Sequence, residues 1–130
     1  MIVDSSALVA ILLNEPEALR LTAAIAISSV CRLPSSFYLE ASIILLGRRD
    51  EEGLCDLDLY VARSRMEIAS FTETQARLAR EAFKRYGKGR HPAKLNFGDC
   101  MAYAPAKDTG EGLLFKGTDF AQTDVVVAAY

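Results

Sequence analysis

Four acids of this 130-residue chain stand where acids call for an explanation. Asp4 closes the apolar run Met1-Ile2-Val3, and Glu40 is the only charged residue between Pro34 and Gly47. Asp99 sits in Asn96-Phe97-Gly98-Asp99, and Asp119 follows Leu113-Leu114-Phe115 after a short polar turn. Each has an ordinary alternative. Asp4 suits a helix N-cap, Asp99 a helix start where acids oppose the dipole, and Asp119 a turn. Glu40 is harder to dismiss, because its helical neighbours Ser36, Phe37, Ile43 and Ile44 offer no charged partner, and Glu is almost never buried alone. Brought together, two carboxylates ~5 Å apart repel by about 3 kcal/mol at an effective dielectric of 20, so four need a counter-charge. Oxygen-only donors select hard Mg²⁺, with Mn²⁺ as a possible substitute. Such a site lowers the pKa of a bound water and neutralises charge on a phosphate, which is the chemistry of phosphodiester hydrolysis.

The composition leaves few other routes. With one histidine, His91, no multi-histidine metal site can be built, and a Ser-His-Asp or Cys-His catalyst would have to use that residue. Cys31, Cys55 and Cys100 form no C-x-x-C pair, and an odd, sparse set without a secretory signal is no disulfide framework. No apolar run approaches the ~18 residues of a membrane span, so a soluble protein of a reducing, cytoplasmic compartment is expected.

The elements that must position the acids are legible in outline. Apolar residues make up 51% and charged residues 25%, without repeats or linkers, so residues 1–130 read as one globular domain. Short apolar stretches alternate with segments of helical period, the pattern of an α/β fold. Strands are predicted at Met1–Asp4, Val30–Leu33, Met66–Phe71, Leu113–Phe115 and Val125–Val127. Helices are predicted over Ala7–Leu12, Glu17–Ile27, Phe37–Leu46 (stopped at Gly47), Asp56–Arg65, Thr72 to about Tyr86, and Asn96 to about Lys107. Thr72 with Gln75 has capping-box spacing, and Gly87–Pro92 is a loop. The expected architecture is a three-layer α/β/α sandwich on a mostly parallel sheet of about five strands. Ligands in such folds bind beyond the carboxyl ends of the strands, where these acids fall.

Ile2-Val3-Asp4-Ser5-Ser6-Ala7, Leu39-Glu40-Ala41-Ser42, Asn96-Phe97-Gly98-Asp99-Cys100 and Phe115-Lys116-Gly117-Thr118-Asp119-Phe120 together resemble the PIN domain of the PilT N-terminus type. More narrowly, the chain resembles the VapC toxins of bacterial toxin–antitoxin pairs over essentially its whole length. The resemblance implies a Mg²⁺-dependent endoribonuclease whose acids map onto Asp4, Glu40, Asp99 and Asp119, with Ser6 as a supporting hydroxyl. It also implies a homodimer inhibited by a VapB-type antitoxin whose tail blocks the acidic pocket. Two residues depart from the family's habit. Pro105 lies inside the helix after Asp99, where a Pro costs ~3 kcal/mol and kinks the axis. Thr118 stands where a second acid is frequent, which points to a weakly held second metal.

The net charge of −2 hides an asymmetry. Residues 77–94 carry seven bases against Glu81, a local charge of +6 suited to phosphate. Lys84, Arg85, Lys88 and Arg90 are the candidate RNA contacts; the alternative is a solvated helix face. His91 beside Pro92 reads first as a turn residue. Two other phosphate chemistries fail on position. HAD-like phosphotransferases need a second Asp two residues after the first, where Ser6 stands, and receiver domains need an Asp at the third strand's end, where Phe71 and Thr72 stand. The remaining alternative is a PIN-like module that binds RNA or an antitoxin with little catalysis.

Overall fold

A computed structural model describes residues 1–130. It is built of β1 (Ile2–Val3), α1 (Ser5–Leu12), α2 (Ala18–Ile27), β2 (Arg32–Pro34), α3 (Ser35–Arg63), β3 (Glu67–Ala69), α4 (Glu73–Tyr86), α5 (Phe97–Thr109) and β4 (Leu113–Leu114). The four strands form one sheet in the order β3-β2-β1-β4, every pair parallel. Ile2 lies between Arg32 and Leu113, which puts the apolar start of the chain at the centre of the sheet. Right-handed crossovers fix the layers. The chain steps outward from β1 to β3 with α1, α2 and α3 packed together on one face, then returns to β4 through α4 and α5 packed on each other. The direction of winding reverses between β1 and β4, and the crevice at that switch is where the carboxyl ends open.

The sheet is one strand short of expectation. Val125–Val127 contributes a single bridge, Val127 to Leu113, because β4 is two residues long and offers this edge only the N–H and C=O of Leu113. Leu113 N–H donates to Val126 O at 2.8 Å and Ala128 N–H donates to Leu113 O at 2.9 Å.

The helix expected to stop at Gly47 runs on. α3 continues to the break at Arg49–Asp50, where Asp50 takes φ 50°, and then resumes to Arg63, so the two expected helices are joined at a kink. No Gly or Pro marks the break. Across the kink Gly53 is buried and sits so close to the other arm that a Cβ would meet Leu45 O at 2.6 Å. The kink folds α3 back on itself, and only a residue without a side chain permits that approach.

The core is a single cluster containing Val3, Leu8, Leu33, Phe37, Leu45 and Leu114, all buried. Burying each such side chain contributes about 1.5–3 kcal/mol. Local signals end the elements as the sequence suggests. Asn14 in the left-handed region closes α1, Thr72 and Gln75 form a full capping box at α4, and Gly110 at φ 70° terminates α5. Pro105 is accommodated inside α5, which stays helical from Phe97 to Thr109 with Pro105 buried. The helix therefore carries Asp99 undisturbed at its first turn.

Candidate active site

Two of the candidate acids, Asp4 and Asp99, are placed by the start of a helix. Asp4 leaves β1 and N-caps α1: its Oδ2 accepts from Ser6 N–H at 3.0 Å and from Ser6 Oγ–H at 2.5 Å. Glu40 projects from the second turn of α3, and the buried hydroxyl of Ser5 donates to its Oε2 at 2.7 Å. Asp99 is the N3 residue of a capping box. Asn96 N–H donates to its Oδ2 at 2.7 Å, while Asp99 N–H donates to Asn96 Oδ1 at 3.0 Å. Capping and site placement are thus the same geometry for Asp4 and Asp99, not competing explanations.

These three acids line one recess of about 400 Å³ at the carboxyl edge of the sheet, with Ser5, Ser6, Asn96 and Gly98 between them. Gly98 keeps this corner open, since a Cβ at that position would press on Asn96 Oδ1 at 3.3 Å and stand 4.0 Å from Glu40 Oε1. Asp119 stands apart from the lining, exposed on the loop after β4. It remains near enough to Asp99 to act on its ionisation. Gly117, at φ 123°, gives the loop its turn, and a Cβ there would lie 2.9 Å from Asp119 Oδ2.

Electrostatics register the crowding. Burial pushes the Asp4 carboxyl up to about 6 against the opposing Ser6 hydrogen bonds, and the charges of Glu40 and Asp99 push it further the same way. Asp99 is raised by burial first, then by Asp119 and Glu40. The four acids therefore form one electrostatic set.

Glu40 corrects the expectation of a carboxylate enclosed by apolar neighbours. Its side chain is exposed, and Leu39 and Ile43 beside it are 60% and 63% exposed, so this face of α3 is an open apolar strip and not core. What holds Glu40 is Ser5.

A divalent cation can be tested against this donor set. No three Asp, Glu, His or Cys side chains lie close enough to make a ready-made cage. The donor chemistry nevertheless fits a hard cation. Asp4, Glu40 and Asp99 each have one oxygen held by a neighbour, at Oδ2, Oε2 and Oδ2, and no hydrogen bond to the other. Their orientation is thus fixed while three carboxylate oxygens stay available.

Against this geometry stand the known proteins. Residues 1–126 match the PIN domain. The VapC ribonuclease Mb0640 of Mycobacterium bovis is 43% identical over 129 residues, which cover 99% of this chain and 98% of that protein. The chain belongs to the PIN-domain family, among the VapC ribonucleases. Solved structures agree on the fold. The sarcin-ricin loop cleaving toxin VapC20 of Mycobacterium tuberculosis superposes with a TM-score of 0.79 at 16% identity, over 99% of this chain and 98% of that one. The VapBC2 complex of Rickettsia felis, bound to a DNA fragment from its promoter, gives 0.76 at 15% identity, over 97% and 94%.

In this PIN domain the basic segment is sorted by its partners. Arg77 pairs with Glu73, and Arg80 and Lys84 both pair with Glu81. Arg85 reaches Asp124 at 3.3 Å and covers the Tyr86 ring at 4.8 Å. Lys88 and Arg90, exposed on the loop after α4, have no acid within ion-pair distance. The loop is closed at its base by Lys88 N–H to Leu95 O and Leu95 N–H to Tyr86 O, both 3.0 Å, and it feeds directly into Asn96. His91 is a turn residue, its Nδ1 accepting from Ala93 N–H at 3.1 Å and its ring edge-on to Tyr86.

Three residues of the recess escape a reading of the sequence. Ser5 orients Glu40, and Lys116 and Glu15 meet across the rim at 2.6 Å. Ser5 and Lys116 lie inside the quoted motifs, but only the fold shows which neighbour each one serves.

Proposed function

We propose that this protein is an endoribonuclease toxin that hydrolyses RNA phosphodiesters at the Asp4–Glu40–Asp99 recess with the help of Mg²⁺. The observation that carries the reading is the trio of carboxylates, each fixed through one oxygen and open at the other. Its similarity to proteins named as VapC ribonucleases supports RNA as substrate. Asp4, Glu40 and Asp99 would hold the cation, with Asp119 completing the set from the rim. When bound, the cation supplies positive charge against the phosphate and a water of lowered pKa. The chain's own contribution is orientation. Ser6 fixes Asp4 through Oδ2, Ser5 fixes Glu40, and the Asn96 capping box fixes Asp99, so that no carboxylate must be reorganised when substrate arrives. Lys88 and Arg90, two of the unpaired bases of the loop leading to α5, supply phosphate contacts, with Lys84 and Arg85 behind them on α4.

Partners follow from exposed apolar surface. Leu39, Ile43 and Phe97, the last 80% exposed, border the recess and suit a protein that covers it, which we take to be a VapB-type antitoxin. Leu19 and Ile27 on α2, 84% and 87% exposed, favour contact with a second copy in a homodimer. No helix is long and apolar enough to cross a membrane, and we place the activity in the cytoplasm.

The test is cleavage of structured RNA by the purified chain with Mg²⁺ or with EDTA, beside Asp4→Asn. Cleavage that needs the divalent ion and is lost in the variant is expected. Cleavage in EDTA, or equal cleavage by the variant, would sink the mechanism.

A further inference from the structure

Lys116 is the one basic residue lining a recess that otherwise presents Asp4, Glu15, Glu40 and Asp99. Its backbone and side chain do different things. Lys116 N–H donates to Ser6 Oγ at 3.0 Å, and Ser6 Oγ–H donates to Asp4 Oδ2, so the residue is anchored at the base of the site. Its ammonium pairs with none of the three open carboxylates. It donates to Glu15 Oε2 at 2.6 Å and lies 3.4 Å from Glu17 Oε2, both in the turn between α1 and α2. Glu17 Oε2 is buried and has no hydrogen-bond donor of its own. Two carboxylates therefore flank one ammonium, which hydrogen-bonds Glu15 and makes only the longer ion pair with Glu17.

The arrangement is not what stability alone would select. The Lys116 side chain is 36% exposed and that of Glu15 33%, and ion pairs this accessible contribute little to folding. A lysine anchored by its backbone at the floor of a site, with a long flexible stem and a head held at the rim, can change partner without moving the chain. The stem lets the ammonium travel several ångströms by rotamer change alone. A phosphate oxygen offers it a charge-assisted hydrogen bond equivalent to the one made with Glu15.

We propose that Lys116 is a phosphate-binding residue of the active site, held in reserve by Glu15 and Glu17 and transferred to a phosphate of the RNA as it enters. The inference rests on the ribonuclease reading and deepens it: Glu15 and Glu17 act as competitors for the lysine, and so restrain substrate affinity. A purely structural tie makes the opposite forecast, since removing either side of the pair would then weaken the site in the same direction.

The test measures binding of a single-stranded oligoribonucleotide in EDTA by fluorescence anisotropy, at several salt concentrations, with KM and kcat for cleavage in Mg²⁺. Lys116→Met is expected to weaken binding about three- to tenfold and to reduce the slope of log K against log salt by about 0.7, the value for one phosphate contact on a single strand. Glu15→Gln should tighten binding about two- to fivefold and lower KM, because it removes the shorter of the two ion pairs that restrain the lysine and leaves only Glu17, 3.4 Å away. Thermal unfolding of each variant checks the fold, and Lys116→Arg, which keeps the charge, should retain the salt slope. The proposal is overturned if Glu15→Gln weakens binding as Lys116→Met does, or if Lys116→Met leaves the salt slope unchanged. Wild-type protein that neither binds nor cleaves RNA would remove the ribonuclease reading itself.

Discussion

Asparagine in place of Asp4 should make the protein more stable in the absence of divalent ions at pH 8, although it removes a residue at the centre of the site. The Asp4 carboxyl is pushed from 3.8 to about 6 by burial and by Glu40 and Asp99. An acid whose pKa is raised by folding binds more protons folded than unfolded between the two values, so its contribution to stability falls as pH rises from 4 to 6. Above 6 the full penalty is present, about 3 kcal/mol at 1.36 kcal/mol per pKa unit. At pH 4.5 the same linkage leaves about 1 kcal/mol. Asparagine carries no charge and caps a helix as well as aspartate does, so Ser6 N–H keeps an acceptor. The Ser6 hydroxyl exchanges a carboxylate acceptor for an amide, a loss of about 1 kcal/mol.

The net gain at pH 8 is therefore about 2 kcal/mol, shrinking to about zero near pH 4.5. Urea unfolding of wild type and Asp4→Asn in EDTA at the two pH values measures the difference directly, because groups common to both proteins cancel. Millimolar Mg²⁺ should raise the wild-type midpoint and leave the variant where it was. A variant less stable than wild type at pH 8, or a difference independent of pH, would refute the reasoning and return Asp4 to a structural cap.

Two further expectations concern the scaffold. Gly53→Ala would drive a Cβ against Leu45 O at the α3 kink, and a loss of about 1–3 kcal/mol in denaturant unfolding is expected, whereas Gly47→Ala, with nothing within 4 Å, should be neutral or stabilising. Asp124 accepts from Tyr103 Oη–H at 2.6 Å and from Lys107 at 3.0 Å, and these partners, Tyr103 foremost, lower its carboxyl to about 2. Stability from a lowered acid is present above its unfolded pKa and is lost as pH falls through the folded one, so wild type should lose stability between pH 4 and 2. Asp124→Asn should flatten that limb in acid titrations followed by circular dichroism.

What the sequence determined by itself is local. The apolar Ile2-Val3 before Asp4, the Thr72–Gln75 box, the helix start at Asn96–Asp99 and the breaks at Asn14 and Gly110 depend on backbone geometry within a few residues. Those signals therefore survive in one dimension. The same locality made Asp4 and Asp99 conspicuous, because each stands at a helix start, and Glu40 because no charged residue neighbours it.

What only the tertiary structure decided depends on residues far apart in the chain. The fifth strand shrank to one bridge because β4 offers a single residue to pair with, and α3 breaks at Arg49–Asp50, where Arg49 reaches Leu12 O at the end of α1, 37 residues away. At the site, Ser5 serves Glu40 across 35 residues, and Lys116 reaches Glu15 across 101. Half of the apparent phosphate-binding bases turned out to be paired with acids, leaving Lys88 and Arg90 free on the loop. Side-chain charge can be counted along a sequence. Whether that charge is cancelled is a matter of distances of a few ångströms, which only the fold sets.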